Sequence, residues 1–116
     1  MDVTIYGIKT CDTMRKARAW LDAAGVVHVF HDYRVRGVDR TMLEHFAALA
    51  SWETLLNRAG TTFRTLPEDA RQDLTESRAI DLMLAHPAAI KRPVLAIGQR
   101  LLVGFDPARY AAAFGR

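Results

Sequence analysis

Apolar and polar positions change period twice along this chain, from strand-like to helical and back. From Asp2 to Tyr6 most residues are β-branched or aromatic, which predicts a short strand ending at Gly7. Between residues 12 and 24 the period lengthens to that of a helix. Met14, Ala17, Leu21 and Ala24 share one face, and Asp12, Arg15, Lys16 and Asp22 lie mostly on the other. Gly25 supplies a stop, and Val26 to Phe30 reads as a second strand. Strand, helix and strand within about 30 residues make a βαβ unit, with parallel strands and a right-handed crossover.

The middle of the chain, about residues 38–90, reads as wholly helical. Asp39 is placed to cap a helix burying Met42, Leu43, Phe46 and Leu49, and Ser51 to cap a shorter one carrying Trp52, Leu55 and Leu56. Gly60-Thr61-Thr62 breaks the pattern, and Pro67 suits the first turn of another short helix. Thr75 is placed to cap a helix through about Ala85 with Ile80, Met83 and Leu84 inward, which His86-Pro87 ends.

Strand character then returns. Pro93 to Ile97 is a continuous apolar run, as in a strand covered on both faces. Gly98-Gln99 is a two-residue turn leading into Arg100–Val103, so the pair forms a hairpin. Asp106 and Pro107 cap and open a last helix that runs to Phe114. The order β-α-β, helical insert, β-β-α predicts an α/β fold: a four-stranded mixed sheet flanked by helices, one domain over residues 1–116 with an insert at about 38–90.

Composition removes several function classes. Sixteen basic against thirteen acidic residues give a formal charge of +3, dispersed and without a Lys/Arg block, so direct nucleic-acid binding is not expected. No apolar run approaches the roughly 18–20 residues of a membrane span. The first residues carry neither a basic leader nor a small-residue cleavage site, so the expectation is a cytoplasmic protein. Four histidines show no metal-ligand spacing beyond His28 and His31, which would face opposite sides of a strand, so no metal site is expected.

The one cysteine, Cys11, is either a packed small hydrophobe or a reactive thiol. It lies in the loop Gly7-Ile8-Lys9-Thr10-Cys11-Asp12, between the first strand and the first helix. Ligands of open α/β sheets gather beyond the carboxyl ends of strands. A helix start also presents unpaired N–H groups and the positive end of the macrodipole, which favour a thiolate. Lys9, Arg15 and Lys16 add positive charge nearby, while Asp12 either opposes it or caps the helix.

These residues resemble a known family. Val3-Thr4-Ile5-Tyr6, the Cys11 loop and Met14-Arg15-Lys16-Ala17 are similar to the ArsC/Spx/YffB group, arsenate-reductase-like proteins of thioredoxin-like fold, and are closest to the YffB branch. The likeness continues in order through Leu55-Leu56-Asn57-Arg58, Gly60-Thr61-Thr62-Phe63-Arg64, Ile90-Lys91-Arg92-Pro93-Val94 and Val103-Gly104-Phe105.

The resemblance implies an active cysteine at Cys11, an arginine at Arg92 that binds an anion or stabilises the thiolate, and a cis-proline at Pro93 facing the cysteine. Without the resemblance, Arg92 reads first as a solvated residue before a strand, and Arg64 equally as a surface helix charge. Lys9, Thr10, Arg15, Arg64, Arg92 and Pro93 are the candidate residues for holding a thiol or substrate. The branch implies a monothiol reductase with no bound cofactor, for which glutathione or another small thiol is co-substrate and a disulfide or oxidised compound is substrate.

Two departures from the family pattern bear on the alternatives. Asn57 and Val103-Gly104 fall where arsenate reductases of the group carry arginines, which disfavours arsenate reduction. Met14 falls where Spx-type regulators often carry the second cysteine of a switch, so an internal disulfide is impossible here. A regulatory module that binds a protein partner without turnover is the reading from a different class.

Overall fold

The computed structural model describes residues 2–116. The chain divides into two compact units: everything before Val38 together with everything from Arg92 onward, and Val38–Lys91.

The first unit is built on a sheet. β1 (Val3–Gly7) alternates buried and half-buried residues, and α1 (Asp12–Ala23) lays Met14, Ala17 and Leu21 into the core. β2 (Val29–Asp32) runs parallel to β1, pairing Thr4 with Val29 and Gly7 with Asp32. β3 (Val94–Ile97) is antiparallel to β1, and β4 (Arg100–Val103) is antiparallel to β3. The strand order is β2-β1-β3-β4, the mixed sheet of a thioredoxin-like fold. Val3, Ile5, Leu95, Ile97 and Leu102 pack with the α1 residues and with Tyr110 of the last helix. That helix, Pro107–Phe114, has the Asp106 side chain accepting from the Ala108 N–H at 3.0 Å, with Gly115 left-handed at its end.

The second strand begins three residues later than its composition suggests. After α1 the chain turns through Gly25 at φ +70°, and the Val26 N–H donates to the Leu21 carbonyl at 3.0 Å. Val26 to His28 are therefore spent on the helix exit, and Val27 is 91% exposed. His28 consequently precedes the strand that holds His31. The delay carries the strand on to Asp32 and leaves room for a single helical turn that the residue pattern did not predict, α2 (Tyr33–Arg36).

The second unit is helical: α3 (Arg40–Leu49), α4 (Trp52–Leu55), α5 (Thr61–Arg64), α6 (Glu68–Arg71), α7 (Glu76–Ala85) and a 3-10 turn at Pro87–Ala89. The caps fall where the side chains require. Asp39, Ser51 and Thr75 accept from the N–H groups of Met42, Thr54 and Arg78. Gly60 does not break a helix but caps α5, and Pro67 stands just before α6 rather than inside its first turn. Leu43, Phe46, Ile80 and Met83 are buried, whereas Met42, Leu49, Trp52 and Leu84 are only half-buried. Arg40 and Asp81 form an ion pair between α3 and α7. Leu56 pairs with Ile90 in an isolated antiparallel bridge.

Among the described residues no helix is long and apolar enough to cross a membrane.

Candidate active site

Cys11 is the N-cap residue of α1, half-buried, with extended backbone at φ −80° and ψ 129°. Its N–H donates to the Ile8 carbonyl at 3.2 Å and its carbonyl accepts from Arg15 N–H at 3.0 Å, so the loop is closed on both sides of the sulfur. Partial burial raises the thiol pKa. The Met14 N–H, the Arg92 guanidinium and the Thr13 N–H all hydrogen-bond the sulfur and outweigh burial, and the charge of Arg92 adds to them. The balance puts the thiol below its ordinary value.

Local packing sets this arrangement. Met14 is fully buried against β1, and a Cβ on Gly7 would come within 2.3 Å of its Sδ. Glycine at this position leaves the room that the Met14 thioether fills at the end of β1. The amides of Thr13 and Met14 are carried by that same turn.

Arg92 reaches the sulfur from the start of β3. The Arg92–Pro93 peptide bond is cis, Pro93 is buried, and its carbonyl accepts from Gly104 N–H at 2.8 Å. Of the residues singled out from sequence, Arg92 is thus brought directly to Cys11. Lys9 and Thr10 are exposed on the adjoining loop. Arg15 is exposed and ion-paired with Asp12, so its charge is largely neutralised. Asp12 itself is the first residue of α1 and makes that pair rather than a cap. Arg64 lies in the other unit as the exposed last residue of α5. In that unit Asn57 donates its N–H to the Ala89 carbonyl at 2.8 Å, and its side-chain amide lies where a Cβ on Gly60 would be, within 2.6 Å.

Two neighbours of the site escaped the residue pattern because both lie on α2. Tyr33 is 5% exposed, and its phenol is held well above its ordinary pKa by burial and by the neighbouring Tyr6, with Arg92 partly opposing them. Tyr6, His31 and Tyr33 form an aromatic cluster with ring centroids 5.0–6.5 Å apart. Arg34, on the outer side of the turn, donates from Nη1 to Thr10 Oγ1 at 3.4 Å. A strand placed to end at Asp32 would have pointed to both, since α2 then starts at a carboxyl end beside β1.

No group of three or more His, Cys, Asp or Glu side chains among the described residues is arranged to hold a metal ion.

Comparison with known proteins gives the chain a family. The ArsC family model matches residues 6–113. The chain is 58% identical to a solved structure called YFFB (PA3664) protein, with a TM-score of 0.92 and coverage of 96% of this chain and 97% of that one. It is 54% identical to an arsenate reductase (ArsC) related protein from Brucella melitensis, with a TM-score of 0.79 over 100% of this chain and 97% of that one. It is also 26% identical over 106 residues to the global transcriptional regulator Spx of Streptococcus pneumoniae, spanning 90% of this chain and 79% of the regulator. A cysteine held at a helix start by amides and a guanidinium, on this sheet and with these relatives, identifies the chain as a member of the ArsC family.

Proposed function

We propose that the protein is a monothiol oxidoreductase that reduces disulfides through Cys11, with glutathione as the external thiol. The observation that carries this reading is the sulfur itself: half-exposed, lowered in pKa, and held by two backbone amides and Arg92.

In the first step the Cys11 thiolate attacks the sulfur of a mixed disulfide between substrate and glutathione. A new S–S bond forms to Cys11, the old one breaks, and the substrate leaves as a thiolate that takes a proton from solvent. The chain has no second cysteine, so an external glutathione thiolate attacks the Cys11 adduct. Oxidised glutathione departs and the Cys11 thiolate is restored. In sum, the substrate sulfur is reduced, glutathione is oxidised, and the protein is unchanged. Thr13 N–H, Met14 N–H and Arg92 stabilise the sulfur anion at the start and end of the cycle. Lys9 and Arg92, with Thr10 on the exposed loop and the cis peptide of the buried Pro93, would hold the extended thiol; Arg15, tied to Asp12, is the weaker candidate. A cytoplasmic setting would supply the reduced thiol.

Cys11→Ser tests the proposal, because it removes the nucleophile and leaves the volume nearly unchanged. Turnover of a glutathione mixed disulfide should be lost while the fold persists; retained turnover refutes the mechanism.

The likeness to Spx favours a second reading, in which the chain binds a protein partner and performs no turnover. One stoichiometric partner in a pull-down, with no thiol turnover, would establish it over the first. Arsenate reduction is the weakest reading. Where the resemblance calls for arginines the chain has Asn57 and Val103-Gly104, leaving an arsenate anion poorly neutralised; arsenate-dependent thiol oxidation tests it.

A further inference from the structure

The parallel strands β1 and β2 end side by side, Gly7 opposite Asp32. The first end leads into the Cys11 loop and the second into α2, so one helical turn walls the site on that side. Its construction is economical. The Asp32 carboxylate accepts from the Arg34 N–H at 2.9 Å and fixes the turn. Tyr33 points inward, buried near Arg92, and its hydroxyl has no hydrogen-bond partner among the described residues. Arg34 points outward and leans on Thr10, the residue before Cys11.

The cations around the sulfur are not equivalent. Arg15 is matched by Asp12, and Arg92 is turned onto the sulfur. No carboxylate lies within ion-pair distance of Arg34 among the described residues, and its one side-chain bond, to a neutral hydroxyl, is long. A guanidinium presents a planar fork of N–H donors suited to two carboxylate oxygens at once. Held beside the loop, such a fork would recognise a carboxylate carried by the molecule whose sulfur approaches Cys11.

We propose that Arg34 is a specificity-determining residue of the Cys11 site, selecting thiols and disulfides that carry a carboxylate over neutral ones. This rests on the reductase reading for its biological meaning, but not for its test.

Iodoacetate and iodoacetamide both alkylate a thiolate with loss of iodide, and they differ in that the first carries a carboxylate. Rates at Cys11 are compared at low salt, at a pH above the alkylation inflection of each variant. Arg34→Ala should slow iodoacetate about three- to tenfold and leave iodoacetamide within about twofold; Arg34→Lys, which keeps the charge, should retain most of the iodoacetate rate, and added salt should narrow the wild-type difference. If a glutathione assay turns over, Arg34→Ala should raise KM for glutathione about fivefold while 2-mercaptoethanol, which has no carboxylate, is unaffected. Absence of turnover in the wild type would sink the reductase reading and leave the alkylation ratio to decide the role of Arg34. Equal slowing with both reagents, or an unchanged iodoacetate rate in Arg34→Ala, overturns the proposal.

Discussion

Gly7 and Met14 interlock: the space where a Gly7 side chain would begin is occupied by the Met14 sulfur, 2.3 Å from the ideal Cβ position. The contact joins the end of β1 to the first turn of α1, across the loop that carries Cys11. Packing in the core and charge at the sulfur are therefore linked through one residue, Met14, whose side chain is buried and whose amide faces the thiol.

Gly7→Ala should consequently do two things. Overpacking a filled core typically costs about 1–3 kcal/mol, which denaturant unfolding would read. If Met14 moves to make room, the amides of its turn leave the sulfur, and the pH inflection of Cys11 alkylation rises toward that of a free thiol. A destabilised variant with an unshifted inflection would show that the contact serves the fold alone.

In the wild type, alkylation of Cys11 should have its inflection below the free-thiol value of about 8.5. Arg92→Gln should move it upward by removing the charge and replacing the guanidinium with a shorter, neutral donor. Arg92→Lys should move it less, since the charge is kept. An inflection that ignores both substitutions would transfer the whole effect to the helix amides.

Folding stability should carry the same signature. The folded pKa lies below the unfolded one, so the thiolate contributes stability that is fully present above the unfolded value. That contribution disappears as pH falls through the folded value. The stability advantage of wild type over Cys11→Ser should therefore grow with pH between the two pKa values and be flat on either side. Matched denaturant titrations across that window would measure it, and a difference independent of pH would contradict the lowered pKa.

Tyr110 offers a control away from the sulfur. It is fully buried, its hydroxyl has no hydrogen-bond partner among the described residues, and burial holds its pKa far above the ordinary phenol. Its ring packs edge-on against Phe105 at 4.9 Å and Trp20 at 5.6 Å. Tyr110→Phe keeps those contacts and removes a desolvated polar group, so stability should be unchanged or higher by up to about 1 kcal/mol. A clear loss by thermal or denaturant unfolding would reveal a bonded hydroxyl.

What the residues disclosed in advance follows from how local each determinant is. Asp39, Ser51, Thr75 and Asp106 act on amides two or three positions away, and all four caps stand where the sequence puts them. Cys11 was legible for the same reason, being a loop residue next to a helical period. The start of β2 was not, because Val26 and Val27 have strand-forming side chains but are diverted by the exit from α1 and by the register against β1. That displacement hid α2, and with it Tyr33 and Arg34. Arg92 stands about eighty residues from Cys11 in the chain; only the family resemblance, not its own neighbourhood, marked it.

The Met14 side chain has a last consequence for bookkeeping of oxidation. With hydrocarbon and thioether where a resolving sulfur could stand, this molecule cannot close a disulfide within itself. Any disulfide it enters binds a passenger, so its oxidised form must differ from its reduced form in mass, and intact-protein mass spectrometry under mild oxidation would display the identity of that passenger directly.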